Sequence, residues 1–329
     1  MKEQNMRQYL GTKTKVTTSL TALALLAAGC SSTSDSASST PSGSEETKNS
    51  EAASEERIAA VGLGDVDTVL ALGETPVALA PWAGATDVVG PWAEDLLGDK
   101  KPTVIEDTST GFDQQKIEAI AATDPTKIIA VNHAVDGETK KKFESIAPTT
   151  VHSEEDKDWQ IPWEKQVETI AKALDKEDEG QKLIDDTNEA FEEFRKSHPE
   201  LQGKTAAIAL PYDNQLSLYT SGDGRGQFIE DLGFVIPEEL QDADGEFYRT
   251  IAPENFSEYN QADYLFILDW EGSADKIKSQ EAFQNIDAVK NGNVYYFDAL
   301  TGTAMSLPNP LTIPYSISKF DDKLKESNK

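Results

Sequence analysis

The sequence predicts an α/β fold with two lobes, each built on a mainly parallel sheet, joined by a single long α-helix. Three observations support this fold class. Short apolar runs alternate with helical patterns from about residue 57 onward, which is typical of parallel sheets that are covered on both faces. A long amphipathic segment follows, and a second strand-rich half of similar size begins after it.

The first 30 residues have the layout of a secretion signal. A basic segment precedes an apolar run at residues 20–28, and Gly29 and Cys30 close that run. The run is shorter than the roughly 20 apolar residues that a membrane-spanning helix needs. Cys30 is the only cysteine of the chain, so an intramolecular disulfide is excluded.

The small residues before Cys30 resemble the lipobox of bacterial lipoproteins. In that family the cysteine thiol receives a diacylglycerol group and becomes the mature N-terminus. One position departs from the pattern, since Ala27 stands where Leu is usual. The resemblance implies an extracytoplasmic protein, held by a lipid on Cys30 to the outer face of the cytoplasmic membrane, as in Gram-positive bacteria. The alternative is a plain signal peptide with an incidental cysteine.

Apolar runs predict the strands of both lobes. Six runs predict buried strands, namely Ile58–Val61, Val77–Ala80, Ile128–Val131, Ala206–Leu210, Tyr264–Leu268 and Val294–Phe297. Short helices are predicted at Val66–Leu72 and Ile117–Ala122. An apolar face that continues until Pro199 predicts a helix from about Gln181 to Ser197, roughly 25 Å long.

These patterns predict the organisation of the whole chain. The predicted segments are a lipoprotein signal peptide at 1–29, a disordered Ser- and Glu-rich tether at 30–56, an N-terminal lobe at 57–178, a connecting helix at 179–199 and a C-terminal lobe at 200–329. A weak internal repeat supports two related lobes, because Glu118–Val131 aligns without gaps with Glu254–Ile267. Each segment begins with Glu, passes through a short helix and a turn, and ends in a predicted strand.

Charge and motifs exclude several functional classes. The chain has 59 acidic residues against 30 Lys and Arg, a formal net charge of -29. Such a polyanion repels phosphate backbones, so we expect no nucleic-acid partner. The sequence contains no GxSxG, Walker or HExxH motif and no Ser–His–Asp arrangement, so we expect no enzymatic activity.

Five segments resemble, in order and spacing, the iron–siderophore binding proteins of ABC importers. They are residues 61–79, residues 118–129, Ile146-Ala-Pro-Thr, Gly226–Phe234 and Ala288–Val294. The similarity extends over nearly all of residues 57–320. Thr123, Thr126 and Lys127 depart from the family pattern of Leu, Asp and Leu.

The resemblance implies a monomeric, bilobal binding protein with its ligand in the cleft between the lobes. A ferric siderophore would be the ligand, with no resident cofactor, and an ABC permease with its ATPase would be the partner. In relatives, one surface Glu on each lobe docks onto basic permease residues, and Glu118 and Glu254 are the matching positions. Two like charges on pseudo-symmetric lobes suit a two-fold transporter. The alternative is that each is a solvated acid near a helix N-terminus.

Ligands of open α/β sheets bind beyond the carboxyl ends of the strands. Three candidates for ligand contact follow predicted strands, namely Trp82, Tyr212 and Trp270. Arg225 and Arg249 of the second half are candidates as well, and Trp92 and Tyr219 are additional aromatic candidates. The two arginines are predicted to lie in loops, where planar donor forks suit hydroxamate or carboxylate oxygens. A surface salt bridge is the alternative for both. Trp163 heads an amphipathic helix, so we expect it to pack in the core.

Direct coordination of Zn, Mn or Fe is the nearest alternative function. Such sites need clustered His, Cys or carboxylate ligands, and the three histidines are scattered at His133, His152 and His198. Tyr295 and Tyr296 lie in a predicted strand, where neighbours point to opposite faces. Cobalamin and haem remain open as ligands. Among siderophores we favour hydroxamates, because an acidic protein disfavours highly anionic catecholate complexes.

Overall fold

The computed structural model describes residues 56–82, 88–242 and 244–327. The predicted signal peptide, Cys30 and nearly all of the predicted tether lie outside these residues. The described residues contain a parallel sheet of order β3-β2-β1-β4-β5. Its strands are β1 (Ile58–Ala60), β2 (Ala78–Leu79), β3 (Thr103–Val104), β4 (Lys127–Ala130) and β5 (Thr149–Val151).

A second sheet of order β10-β9-β6-β7-β8 follows in the chain. Its strands are β6 (Ala206–Tyr212), β7 (Gln215–Tyr219), β8 (Tyr248–Ile251), β9 (Tyr264–Leu268) and β10 (Val294–Phe297). The strands β6, β9 and β10 are parallel, whereas β7 is antiparallel to both of its neighbours. The β6–β7 hairpin turns at Asp213 and Asn214, whose φ angles of 45° and 63° are those of a two-residue type I′ turn.

Helices cover the sheets. They are α1 (Asp65–Ala71), α2 (Glu94–Leu97), α3 (Gln114–Ala121), α4 (Gly137–Glu144), α5 (Trp163–Ala173), α6 (Glu177–Ser197), α7 (Gly224–Asp231), α8 (Ser273–Lys278), α9 (Glu281–Gln284), α10 (Asp287–Lys290), α11 (Ala299–Ser306) and α12 (Thr312–Ser327). Short 3₁₀ helices occupy Thr108–Thr110, Pro199–Leu201, Glu238–Leu240 and Pro253–Gln261. Within the described ranges, no helix has the length and apolarity to cross a bilayer.

We call the first sheet with α1–α4 the first lobe, and the second sheet with α7–α12 the second lobe. The central strands of the first sheet, β1, β2 and β4, are buried on both faces, because their alternate residues enter different cores. On β1, Ile58 and Ala60 pack into one cluster and Ala59 into the other. This two-sided burial explains why these three strands are apolar runs in the sequence.

The helix α6 stands between the two sheets in the chain and packs against both α5 and α12. Three acids occupy its first turn, and Arg195 and Lys196 occupy its last, as the helix dipole favours. It begins four residues earlier than predicted, because Gly180 is not a boundary. A Cβ at Gly180 would overlap the Cβ of Ala171 on α5, so glycine serves close helix packing inside the helix.

All six predicted strands are present within two residues of their predicted ends, and both short helices and the long helix are confirmed. The prediction of a two-lobed, mainly parallel α/β fold is confirmed. Four strands were not predicted, namely β3, β5, β7 and β8. The assignment of Arg225 and Arg249 to loops is wrong. Arg225 is the second residue of α7, whose N-terminus is capped by Asp223, and Arg249 lies within β8.

Candidate functional site

A pocket opens at the carboxyl ends of β6, β9 and β10 in the second lobe. Its lining residues are Leu210, Arg225, Leu268, Asp269, Trp270, Ala299, Gly302, Thr303 and Ser306. The three strands are parallel and adjacent, so their carboxyl ends meet at one edge of the sheet. The cavity volume is about 60 Å³. Pockets for drug-sized ligands have about 300–1,000 Å³, so a ligand of that size would extend beyond this pocket.

Arg225 supplies the positive charge of this pocket. Its Nε donates to Oδ1 of Asp223 at 2.6 Å, and its Nη2 donates to Oδ2 at 2.8 Å. The guanidinium also stacks on Tyr219, with 3.6 Å between its central carbon and the ring centroid. Burial alone lowers the pKa of Arg225, but the Asp223 carboxylate outweighs it and raises the pKa above its ordinary value. The guanidinium therefore stays charged while it is partly withdrawn from water.

Close backbone packing explains the glycines around Arg225. A Cβ at Gly226 would lie 2.6 Å from the carbonyl carbon of Thr220, and one at Gly224 would lie 2.6 Å from Cδ of Pro308. Real Cβ atoms do not approach other carbons this closely, so larger residues would push α7 away. In the run Gly222-Asp-Gly-Arg-Gly, the residues from Gly224 onward form the first turn of α7. The glycines let α7 bring the arginine to the pocket.

A second aromatic feature is a cluster of three rings, Trp82, Trp92 and Tyr315. The ring centroids of Trp82 and Trp92 are 6.0 Å apart, and those of Trp92 and Tyr315 are 5.2 Å apart. Trp82 follows β2 at its carboxyl end, and its buried Nε1 has no hydrogen-bond partner among the described residues. Tyr315 comes from α12, so the cluster contains residues from both lobes.

Asp67 is hydrogen-bonded to Trp92 of this cluster. Its Oδ2 accepts from Nε1 of Trp92 at 2.8 Å and from Nδ2 of Asn309 at 3.1 Å. Burial raises the pKa of Asp67 to about 6, although the bonds from Trp92 and Asn309 act in the opposite direction. Since Asp67 belongs to α1 and Asn309 precedes α12, this buried hydrogen bond connects the lobes.

The structure divides the seven predicted contact residues into groups. Arg225 and Trp270 line the same pocket, with Tyr219 beneath the guanidinium. Trp82 and Trp92 meet in the aromatic cluster. Tyr212 ends β6 and is 47% exposed, two residues beyond the pocket-lining Leu210.

Arg249 lies apart from the pocket lining. Its Nη2 donates to Oε2 of Glu258 at 3.0 Å, and its Nη1 donates to the carbonyl oxygen of Glu239 at 2.9 Å. The strand β8 that carries it is at the sheet edge opposite β10. The geometry therefore favours Arg225 over Arg249 as a ligand contact.

Several residues that line the pocket or pair with Arg225 were not anticipated from the sequence. Asp223 caps α7 by accepting from the backbone N–H of Arg225 at 2.9 Å. Asp269 lines the pocket and accepts from the N–H of Ala274 at 3.0 Å. Thr303 and Ser306 come from α11, whose first turn is capped by the carboxylate of Asp298. The capping pattern of Asp298 is the one sequence feature that could have indicated α11.

The histidines and other aromatic residues have packing roles. His133 is buried between Phe112 and Trp159, with ring centroids 4.6 and 4.8 Å away. His198 at the end of α6 bonds Oδ1 of Asp321 at 2.7 Å. Trp163 is 2% exposed, which confirms its predicted place in the core. In the part of the chain that the structure describes, no group of three His, Cys, Asp or Glu could hold a metal ion.

The side chains of Tyr295 and Tyr296 diverge, as predicted for neighbours in a strand. Tyr295 packs on Tyr264 and Phe266, at centroid distances of 6.4 and 6.0 Å. Tyr296 instead lies beneath the ammonium group of Lys278, 4.0 Å from the ring centroid. The two phenols therefore do not form a paired ligand.

Glu118 and Glu254 are both exposed. Glu118 is on α3, which leads to β4, and Glu254 is on the 3₁₀ helix that leads to β9. Each of these strands pairs in parallel with the first strand of its sheet, β4 with β1 and β9 with β6. The two glutamates thus occupy equivalent places in the topology, as the internal repeat predicts.

Comparison with known proteins gives a consistent picture. The chain is 28% identical over 316 residues to the Fe(3+)-citrate-binding protein YfmC of Bacillus subtilis, a match covering 91% of this chain and 93% of that protein. It is 27% identical to Streptococcus pneumoniae PiaA in complex with ferrichrome, with a TM-score of 0.70, covering 83% of this chain and 93% of that one. Staphylococcus aureus SirA complexed with staphyloferrin B shares the fold, with a TM-score of 0.68 at 20% identity, covering 82% and 93% of the two chains. Residues 58–300 match the periplasmic binding protein family, and the chain belongs to that family.

Proposed function

We propose that the protein captures an iron–siderophore complex between its lobes and delivers it to an ABC importer. The observation that carries this proposal is the pocket at the ends of β6, β9 and β10, which both Arg225 and Trp270 line. A chelated ferric ion presents apolar surface and peripheral oxygens. An aromatic wall and a guanidinium fork hold such a surface without touching the metal.

The relatives support an iron chelate as ligand, because one is named for ferric citrate and another was solved with ferrichrome. Among chelates we favour hydroxamates. Their ferric complexes are neutral, since three singly charged hydroxamates balance Fe³⁺. A pocket in an acidic protein disfavours the strongly anionic catecholate complexes.

Delivery would use the exposed carboxylates of Glu118 and Glu254. Their equivalent places on the two lobes match the symmetry of a two-fold permease, and like charges favour a basic partner surface. Attachment to the outer face of the cytoplasmic membrane would use a diacylglycerol on Cys30, because the residues around it resemble a lipobox.

Titration of the protein with ferric complexes tests this function, with quenching of tryptophan fluorescence as the measurement. We expect ferrichrome to bind, and zinc to cause far less quenching. Arg225→Ala should weaken binding by about tenfold or more, as expected for loss of a charge-assisted hydrogen bond in a partly buried site.

Arg249→Ala is the matched control, because it removes the same charge from the same lobe outside the pocket lining. We expect it to leave the affinity within about twofold, since distant surface charges are screened. Absence of binding to hydroxamate, catecholate and carboxylate ferric complexes alike would refute the proposed function.

A further inference from the structure

The positive charge of the second-lobe pocket is matched by nearby carboxylates. Arg225 is the one cation among its lining residues, and Asp269 is a lining carboxylate. A second carboxylate, Asp223, occupies both the Nε and Nη2 sides of the guanidinium. Arg225 therefore does not present an uncompensated positive charge to a ligand.

The ion pair of Arg225 and Asp223 is part of the folded second lobe. The side chains of Arg225 and Asp223 are only 19% and 9% exposed. Asp223 also caps α7, and the guanidinium stacks on the ring of Tyr219. Separating such a pair leaves buried charges uncompensated, which is costly. The pair is therefore expected to persist when a ligand binds.

What remains for the ligand is hydrogen-bond donation. A guanidinium has five N–H donors, and Asp223 engages only the Nε and Nη2 atoms. A side-chain hydrogen bond with Tyr219 also engages the guanidinium, so the N–H groups that neither Asp223 nor Tyr219 engages are left for carbonyl or hydroxamate oxygens. Thr303 and Ser306 line the same pocket, but the single O–H of each already donates to an α11 carbonyl group, so towards a ligand they can only accept. The donors offered to a ligand are therefore those of the guanidinium, which suit a neutral ligand with oxygen acceptors.

We propose that Asp223 sets the charge selectivity of the pocket: by neutralising Arg225 it makes the site prefer neutral or cationic ferric complexes over anionic ones. This inference rests on the proposed function and specifies the ligand class. Asp223 acts through Arg225 and is a positioning residue. Neutral ferric trihydroxamates fit this site, whereas ferric citrate and ferric catecholates bring negative charge close to Asp269, which lines the pocket, and to Asp223, which is paired with Arg225.

Asp223→Asn tests the proposal, because Asn retains the capping acceptor but loses the charge. The probes are ferrichrome, which is neutral, and ferric citrate, which is anionic. We expect the wild-type protein to prefer ferrichrome. In the variant, affinity for ferric citrate should rise on the order of tenfold, the effect of removing one unit charge near the ligand in a partly buried site. Affinity for ferrichrome should change by less than about threefold, since a neutral complex is insensitive to the charge.

Asp136→Asn is the matched control, because Asp136 caps α4 in the same way but lies on the first lobe. It should leave the ratio of the two affinities unchanged. The gain in ferric citrate affinity should shrink at high salt. If thermal unfolding shows that Asp223→Asn does not fold, Asp223→Ser, which also caps helices, replaces it with the same expected result.

The outcomes separate the two proposals. A wild-type protein that binds neither complex refutes the proposed function, and with it the role of Asp223. A wild-type protein that binds, combined with an unchanged affinity ratio in Asp223→Asn, refutes the role of Asp223 alone. A ratio that moves equally in Asp136→Asn refutes it as well, because the effect would then belong to net charge.

Discussion

Asp65 is a buried acid that fixes the first turn of α1 to the first sheet. Its side chain is 1% exposed, and its oxygens accept from the N–H groups of Val131 and Asn132 at 2.7 and 3.2 Å. Burial raises the pKa of Asp65 to about 7, because desolvation of the charged form outweighs the two backbone hydrogen bonds. The ionisation of one residue is therefore coupled to folding.

We predict that acidification from pH 8 to pH 5 stabilises the protein. The pKa of Asp65 is above its value of 3.8 in the unfolded chain, so the folded state binds the proton more tightly. Its contribution is fully present below about pH 4 and is lost as the pH rises through about 7. Asp67, whose pKa burial raises to about 6, acts in the same direction. The gain should be on the order of a few kcal/mol, measured as the free energy of unfolding in urea.

Asp65→Asn should remove most of this pH dependence, because Asn cannot ionise. Its single Oδ1 keeps one of the two backbone hydrogen bonds that the carboxylate accepts. The control is Asp136→Asn. The N–H of Thr139 holds the pKa of Asp136 below its ordinary value, so its contribution has the opposite sign and its loss should leave the gain at low pH. An Asp65→Asn protein with the wild-type pH dependence would contradict the prediction.

At the scale of single residues, the sequence identified only part of the pocket. Trp270 could be predicted because it comes two residues after a buried strand, and Arg225 because its planar donor fork suits ligand oxygens. The same argument also selected Arg249, which pairs with Glu258 instead. Asp223 and Asp269 escaped notice because 59 acids offer no means of choosing among them. Tertiary placement alone distinguishes these two.

At the scale of secondary-structure elements, the strands that the sequence predicts are the buried ones. Strands buried on both faces, such as β9, are continuous apolar runs that a sequence displays directly. Two of the strands that were not predicted lack this signal. The strand β3, next to β2, has only two residues, and the edge strand β8 carries polar residues. The hairpin of β6 and β7 could have been found from the Asp213–Asn214 pair, since these residue types tolerate positive φ angles.

The segment between α11 and α12 is held by one buried amide. The Nδ2 of Asn309 donates to Asp67 and to the carbonyl oxygen of Leu307, both at 3.1 Å. Its Oδ1 accepts from the N–H groups of Leu311 and Thr312 at 2.9 and 3.0 Å. The same side chain therefore caps the start of α12 and connects it to α1.

We predict that Asn309→Ala lowers the free energy of unfolding by about 2–4 kcal/mol, because it leaves several buried polar groups without partners. Urea unfolding measures this loss. Ser318→Ala, on the exposed side of α12, is the control and should change stability by less than about 0.5 kcal/mol. A loss in Asn309→Ala no larger than in the control would show that the amide network is not what holds this segment.

At the scale of the whole molecule, α6 explains how two lobes form one body. Leu183 on this helix packs against a core of each lobe, and Phe191 and Phe194 enter the core of the second lobe. A helix packed along its length is a stiff connection, so we expect the lobes to move little when ligand binds. Their carboxylates at Glu118 and Glu254 would then keep a fixed spacing, which a permease could recognise.

We predict that reversing both charges, Glu118→Arg with Glu254→Arg, abolishes delivery to the permease while ligand affinity stays within about twofold of wild type. The reason is electrostatic, since two basic residues would repel the basic surface proposed for the partner. Uptake of radioactive ferric complex by cells measures delivery, and tryptophan quenching measures binding. The control reverses two exposed acids of α6, Glu189 and Glu193, which changes net charge equally. Normal uptake in the first variant, or equal loss in both, would show that these two glutamates are not the docking residues.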